Sequence, residues 1–313
     1  MSAWKILLTD GLEDNGKEIL RASAVVDDRP GITADELLQV IGEYDAVIVR
    51  GRTKITPAVL DAARKLKVAG RAGVGVDNID LKSAKEHNVI VVNSPIATTV
   101  AVAELALGLM LSICREIPRA DATMKAGKWI KKELEGVELY GKTLGVIGFG
   151  RIGSAVAARA KAFEMKILAY DPLIPADEIL KRGGEPVSMD ELLAKADIIT
   201  MHMPLTADSK NILNADAFGK MKKGVYVICA ARGGVIDEEA LLAALNSGQV
   251  AGAALDVFAA EPPGQTDLVA HPRVIDSPHI GAQTIEAQAR AANDISEEVL
   301  NALNGKPLRW KVA

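Results

Sequence analysis

The fold is decided by eleven residues, Thr143-Leu144-Gly145-Val146-Ile147-Gly148-Phe149-Gly150-Arg151-Ile152-Gly153. The first half is a short apolar run of strand character, and the second half fits the spacing G-x-G-x-x-G. That spacing alone is a weak signal, because glycine-rich turns are common. Placed between an apolar strand and a helix that opens near Arg151, each glycine has a task. Gly148 allows the tight turn, Gly150 lets a pyrophosphate approach the backbone, and Gly153 lets the helix pack on the strand. The helix N-terminus then presents unbonded N–H groups and the positive end of its dipole to a phosphate. A second strand, Lys166-Ile-Leu-Ala-Tyr170, ends in Asp171. A carboxylate about twenty residues beyond such glycines accepts hydrogen bonds from the ribose hydroxyls and repels a 2′-phosphate. No Arg follows Asp171 immediately, so the expected cofactor is NAD rather than NADP.

Outward from this stretch, short β-branched runs alternate with helical patterns. The runs are Lys5–Thr9, Ala46–Arg50, Val68–Arg71, Val89–Val92, Thr143–Gly148, Lys166–Tyr170, Ile198–His202, Val225–Ala230 and Ala251–Val257. Segments such as Thr33–Gly42, Ile152–Met165, Ser188–Ala194 and Glu238–Ser247 carry apolar residues three or four apart. Such alternation predicts an α/β fold of parallel sheets covered by helices. Two longer helical segments, about Thr99–Arg115 and Thr284–Asn304, bracket one complete set of strands. The simplest topology is a Rossmann, doubly wound domain over residues 99–284. It is inserted into a smaller α/β domain built from residues 1–98 and 285–313.

Composition excludes several classes of protein. The 313 residues are 49% hydrophobic and 25% charged, too long a chain for a single core and too apolar for disorder. With 37 basic and 41 acidic residues the net charge is −4, which leaves no electrostatic footprint for nucleic acid or an anionic membrane. Two cysteines, Cys114 and Cys229, are too few for a disulfide framework or a zinc cluster, so no metal is expected. The longest apolar stretch, Val100–Leu111, contains Glu104 and is too short to span a bilayer. The N-terminus lacks the apolar stretch of a signal peptide, and the expected location is the cytoplasm.

Interconversion of an alcohol and a ketone needs a proton carrier at the substrate oxygen and a cation that polarises the carbonyl. Of four histidines, His87 and His271 lie in polar turns, and His202 ends a strand close to where adenine would lie, where a structural role is favoured over one in the cofactor pocket. His279, in Ser277-Pro-His-Ile-Gly-Ala282, follows the run Arg273–Asp276 and so stands at the carboxyl end of a strand, where open α/β sheets bind ligands. Arg232 and Glu261 stand at two further strand ends. Together the three would make a reductase triad.

These residues carry a resemblance. Gly148–Gly153, Ala231-Arg-Gly-Gly-Val-Ile-Asp-Glu-Glu-Ala-Leu241, Ala254-Leu-Asp-Val-Phe-Ala-Ala-Glu-Pro-Pro263 and Ser277–Ala282 resemble, in order, the signature blocks of the NAD-dependent D-2-hydroxyacid dehydrogenases. Val47–Thr56, Gly70–Asp80 and Met124–Trp129 point to a branch of that family acting on a phosphorylated 2-hydroxy acid. The resemblance covers nearly the whole chain and implies a flavodoxin-like substrate domain discontinuous in sequence. It makes His279 the acid/base, Glu261 its carboxylate partner and Arg232 the cation that holds the substrate. Beside the glycines, it places cofactor contacts on Val74, Arg151, Ile152, Asp171, Met203, Pro204, Ala230, Ala231, Asp256, Gly281 and Ala282. Substrate contacts would fall on Arg50, Arg71 and the turn Gly73-Val74-Gly75. It further implies a homodimer joined through the nucleotide domain, with Lys131 matching a cation that reaches the partner subunit's substrate phosphate. The sequence departs from the family at Ala97-Thr98, where Gly-Asn is frequent, at Val74, where Thr is frequent, and at Cys229, where Asn occurs. The chain reads as a short form without an appended regulatory domain. The alternatives are a glyoxylate or hydroxypyruvate reductase, or a non-catalytic NAD-sensing protein like the dehydrogenase-related corepressors.

Overall fold

Runs of Val, Ile and Ala with no polar alternation suit strands buried on both faces, and the strands paired among the described residues run parallel, with one isolated antiparallel bridge between Val92 and Lys311. The structure is a computed structural model and describes residues 4–313. In chain order it runs β1 (Trp4–Leu8), α1 (Asp14–Arg21), β2 (Ala24–Asp28), α2 (Ala34–Val40), β3 (Ala46–Val49), α3 (Pro57–Ala62), β4 (Val68–Arg71), α4 (Leu81–Glu86) and β5 (Ile90–Asn93). It continues with α5 (Thr99–Cys114), α6 (Ile117–Lys125), β6 (Thr143–Ile147), α7 (Arg151–Ala162), β7 (Lys166–Tyr170), α8 (Ala176–Lys181), β8 (Glu185–Pro186), α9 (Met189–Lys195) and β9 (Ile198–Met201). The remainder is α10 (Ala215–Lys220), β10 (Val225–Cys229), α11 (Glu238–Ser247), β11 (Val250–Leu255), β12 (Val274–Asp276) and α12 (Ile285–Leu303).

The chain divides into two units. The first comprises the chain up to Thr98 together with Ala282–Ala313, and the second is Thr99–Gly281. The first unit holds a five-stranded sheet of order β2-β1-β3-β4-β5, the flavodoxin-like order. α12 closes it by laying Ala292, Ile295, Val299 and Leu303 on Ile6, Leu8, Ile48, Val68 and Val92. Contact with α1 is close: a side chain at Gly16 would meet Ala292 at 2.8 Å, and the Ser296 hydroxyl donates to the Gly16 carbonyl at 3.0 Å.

In the second unit the sheet order is β12-β11-β10-β9-β6-β7-β8. This is the doubly wound order with one added edge strand, and its direction of winding reverses between β6 and β9. One apolar layer is built around Ile199, Met201, Val227, Leu241 and Phe258, the other around α5 and α7 with Leu144, Val146 and Ile228. Cys114 and Cys229 are both 1% exposed, and burial pushes their thiols up to about 12 and about 11 respectively, so both are inert core residues. Among the described residues, no group of three or more His, Cys, Asp or Glu side chains could hold a metal ion, and no helix is long and apolar enough to cross a membrane.

Candidate active site

In the second unit the glycine-rich turn sits where the sheet reverses, and its glycines differ in what surrounds them. Gly148 has φ +88°, and a Cβ there would lie 2.6 Å from the His202 carbonyl at the end of β9. A Cβ on Gly153 would lie 2.1 Å from the Gly148 carbonyl, so α7 can touch β6 only because residue 153 is glycine. Gly150 differs: a Cβ there would meet nothing within 4 Å. It is also the N-cap of the twelve-residue α7 and provides no side-chain cap. Uncapped N–H groups facing an open cradle are what a pyrophosphate requires, so the residues present fit a dinucleotide.

Asp171 stands just past the end of β7. Its Oδ2 accepts the Phe149 N–H at 2.8 Å and its Oδ1 accepts the Leu173 N–H at 2.9 Å. The carboxylate is thereby fixed to the glycine-rich turn, and each oxygen keeps a lone pair for a ribose hydroxyl. Arg151 is exposed, Ile152 and Met203 are half-buried, and Pro204 is exposed beyond β9. Ala230 and Ala231, both buried, follow β10.

The proposed triad lies at the ends of β10, β11 and β12, which are neighbours in the sheet. Arg232 follows β10 and donates from Nη1 to its neighbour's carbonyl, that of Ala231, at 2.7 Å. The His279 Nδ1–H donates to Glu261 Oε2 at 2.8 Å. Glu261 is itself held, because its Oε1 accepts the Phe258 N–H at 3.1 Å. With Nδ1 committed to the carboxylate, the proton-carrying face of the imidazole is Nε2. Both side chains stay partly exposed, 47% for His279 and 38% for Glu261.

His279 has φ +52°, a left-handed conformation that a non-glycine residue adopts only when its surroundings impose it. Asp256 imposes it. This carboxylate is 1% exposed and accepts from the Ser277 hydroxyl at 2.6 Å and from the N–H groups of Ile280 and Gly281 at 2.8 Å each. Its own carbonyl accepts the His279 N–H at 2.9 Å. Residues on both sides of His279 are thus tied to one buried side chain. The family resemblance implies only a cofactor contact at Asp256. The missed signal was an aspartate closing the apolar run Ala253-Ala254-Leu255, where a charge must be satisfied internally.

The other three histidines take no part in this arrangement. His202 is half-buried with its Nδ1 shut off from solvent, and this desolvation pulls it down to about 3, so its ring is neutral; its Nε2 lies 2.9 Å from the Thr200 hydroxyl. His87 closes α4, with Nδ1 bonded to the Ser83 carbonyl and Nε2 3.0 Å from Asp61. His271 accepts the Arg273 N–H.

The remaining predicted residues are carried by the first unit, apart from Lys131, which lies in an exposed turn of the second. The Arg50 N–H, just past β3, donates to Asp10 at 2.8 Å, and the Arg50 guanidinium is bonded to Gln283 and Gln288. Arg71 ends β4 and donates to the Ala72 carbonyl at 3.0 Å. The Gly73 N–H donates to the Ser94 hydroxyl at 2.7 Å, and the Val74 carbonyl accepts from Asn93 at 2.6 Å, which fixes the turn ahead of Gly75. Ala282 opens the C-terminal part of this unit and accepts from Gln288 at 2.6 Å.

A Gly-rich pyrophosphate cradle with a strand-end carboxylate, and a carboxylate-bound histidine on the same sheet, are the elements that nicotinamide-dependent oxidoreductases use. Residues 107–281 match the family model described as D-isomer specific 2-hydroxyacid dehydrogenase, NAD binding domain, and the chain belongs to that family. It is 45% identical over 308 residues to a D-3-phosphoglycerate dehydrogenase of Synechocystis sp. and 48% identical over 303 residues to one of Methanocaldococcus jannaschii. These matches take in 98% and 96% of this chain but only 56% and 58% of those proteins, so it spans little more than half their length. Among solved structures, a glyoxylate reductase from Paecilomyes thermophila matches with a TM-score of 0.91 at 32% identity, covering 100% of this chain and 99% of that one. The apo D-lactate dehydrogenase of Escherichia coli matches with a TM-score of 0.84 at 29% identity, covering 99% and 100%.

Proposed function

We propose that the protein interconverts 3-phospho-D-glycerate and 3-phosphohydroxypyruvate with NAD, the entry step of serine biosynthesis. The observation that carries the reaction is the His279–Glu261 pair, held at 2.8 Å beside a histidine backbone that Asp256 clamps. The choice of substrate is supported by relatives of that name at 45–48% identity. Bound NAD supplies the hydride acceptor. In oxidation, His279 Nε2 takes the proton of the substrate hydroxyl while Glu261, through Nδ1, fixes the ring and stabilises the imidazolium that forms. Arg232 pairs with the substrate carboxylate and polarises the carbonyl that develops. In reduction His279 returns the proton. Arg50, Arg71 and the 73–75 turn are proposed substrate contacts. Asp171 supports NAD over NADP.

A homodimer through the second unit is part of the proposal. α6 has no buried residue, and its Ile117 and Met124, with Trp129 shortly beyond its end, are 50–77% exposed, an apolar surface suited to a second copy. Lys131, in a turn just past Trp129 and Ile130, is proposed to reach the substrate phosphate of the partner subunit. The cytoplasm is the proposed location.

The test compares NADH oxidation with phosphohydroxypyruvate, hydroxypyruvate, glyoxylate and pyruvate at equal concentration. Phosphohydroxypyruvate is expected to be turned over best, and His279→Ala to lower kcat by roughly 10²–10⁴-fold with NADH still bound. Preference for glyoxylate would identify a glyoxylate reductase instead, and NADH binding without turnover of any of the four would identify a sensing protein.

A further inference from the structure

We propose that Glu238 is a positioning residue that sets the spacing between the Arg232 loop and the Glu261 loop. This rests on the reading of Arg232, Glu261 and His279 as the reacting groups. Glu238 is the first residue of α11, directly after the turn that carries Arg232. Its Oε1 accepts the Ala259 N–H at 2.6 Å, reaching from the loop after β10 to the loop after β11. The neighbouring peptide is gripped from the same side. A Cβ on Gly233 would lie only 1.7 Å from the Phe258 carbonyl oxygen, so the backbone next to Arg232 lies directly against Phe258.

The Phe258–Ala259 segment is therefore held at two points by the Arg232 loop, through backbone contact at Phe258 and through a carboxylate at Ala259. The Phe258 N–H in turn donates to Glu261 at 3.1 Å, and Glu261 holds His279. A chain of direct contacts thus runs from the substrate-holding cation to the proton carrier. Arg232 must address the substrate carboxylate and His279 its C2 oxygen, two groups fixed only a bond or two apart. The reaction demands a set distance between the two loops, and displacement by about 1 Å at a reacting centre can cost as much as 10²-fold in rate. A carboxylate bonded to a backbone N–H is a charge-assisted bond of the stronger class, suited to fixing such a distance. The helix does not need Glu238 for its own start. Asp237 caps α11 by accepting the Ala240 N–H at 3.0 Å, and Glu239 retains an acid in the first turn.

The experiment measures kcat, KM and NADH affinity for Glu238→Ala, Glu238→Gln and Gly233→Ala, with His279→Ala as control. Glu238→Ala is expected to lower kcat by about 5–50-fold while NADH affinity stays within about twofold, because the glycine-rich turn is untouched. Glu238→Gln, whose amide oxygen accepts the same N–H, should regain most of that loss. Gly233→Ala must displace the Phe258 carbonyl and should lose kcat as well. The Ala259 amide should be protected from hydrogen exchange in the unaltered protein and in Glu238→Gln, and unprotected in Glu238→Ala. Unchanged kcat in Glu238→Ala, or no recovery in Glu238→Gln, would overturn the proposal, as would an unprotected Ala259 amide in the unaltered protein. If Glu238→Ala does not fold, Glu238→Gln and Gly233→Ala decide: the first active and the second slow supports the proposal, and any other pattern refutes it. An inactive His279→Ala confines such a failure to Glu238, whereas an active one overturns the catalytic reading itself.

Discussion

His202 and His279 show how little a residue type says before its surroundings are known. Each closes or follows a strand of the same sheet, yet one is half-exposed on a carboxylate and the other has its Nδ1 shut off from solvent and its ring neutral. The second, His202, makes the protein sensitive to acid. In the folded state His202 takes up its proton only near pH 3, whereas in the unfolded chain it does so at its ordinary value of about 6.5. Between those values the unfolded state binds the additional proton, so the stability tied to this residue is complete above about 6.5 and declines as pH falls through the window. His202→Gln should therefore reduce the drop in thermal midpoint between about pH 7.5 and pH 5. An equal drop in both proteins would show that His202 is not the group responsible.

At the scale of elements, the strand–turn–helix from β6 to α7 was legible because its signal is local: glycines, apolar run and helix lie within two dozen residues. Its glycines lead to a prediction that separates binding from packing. Gly150→Ala adds a methyl group into open space at φ −69°, so the thermal midpoint should hold while the NADH dissociation constant rises at least about tenfold. Gly153→Ala, which must push the Gly148 carbonyl, should instead cost about 1–3 kcal/mol in chemical denaturation. Matching stability losses in the two variants would disprove this division of roles. β2 and α1 were not legible. Ala24-Val-Val-Asp-Asp28 has no clean apolar pattern and is made a strand by pairing with β1, and Gly16 reads as a helix breaker until Ala292 supplies the reason for it. The site divides the same way. Arg232, Glu261 and His279 could be named from strand ends, whereas the Asp256 clamp and the Glu238 tie depend on which loops the sheet order makes neighbours. A single sequence does not display that adjacency.

The molecule as a whole joins one unit that is continuous in sequence to one that is not. Residues 99–281 contain the seven-stranded sheet, both of its apolar layers, the glycine-rich turn and the triad. Expressed alone, they should melt in one cooperative transition and bind NADH. Residues 1–98 alone should show no cooperative melt, because α12 supplies Ala292, Ile295, Val299 and Leu303 to one face of their sheet. Circular dichroism with NADH fluorescence decides both, and a cooperative melt of residues 1–98 would refute the second. The same dependence on α12 sets an order of events during synthesis. The ribosome delivers the first five strands early, but their covering helix emerges only after the entire inserted unit, a delay of roughly 10–40 s at about 5–20 residues per second. Throughout that interval the nascent N-terminal segment carries an uncovered apolar face, which makes it a client for chaperones, while the unit translated after it can already have folded.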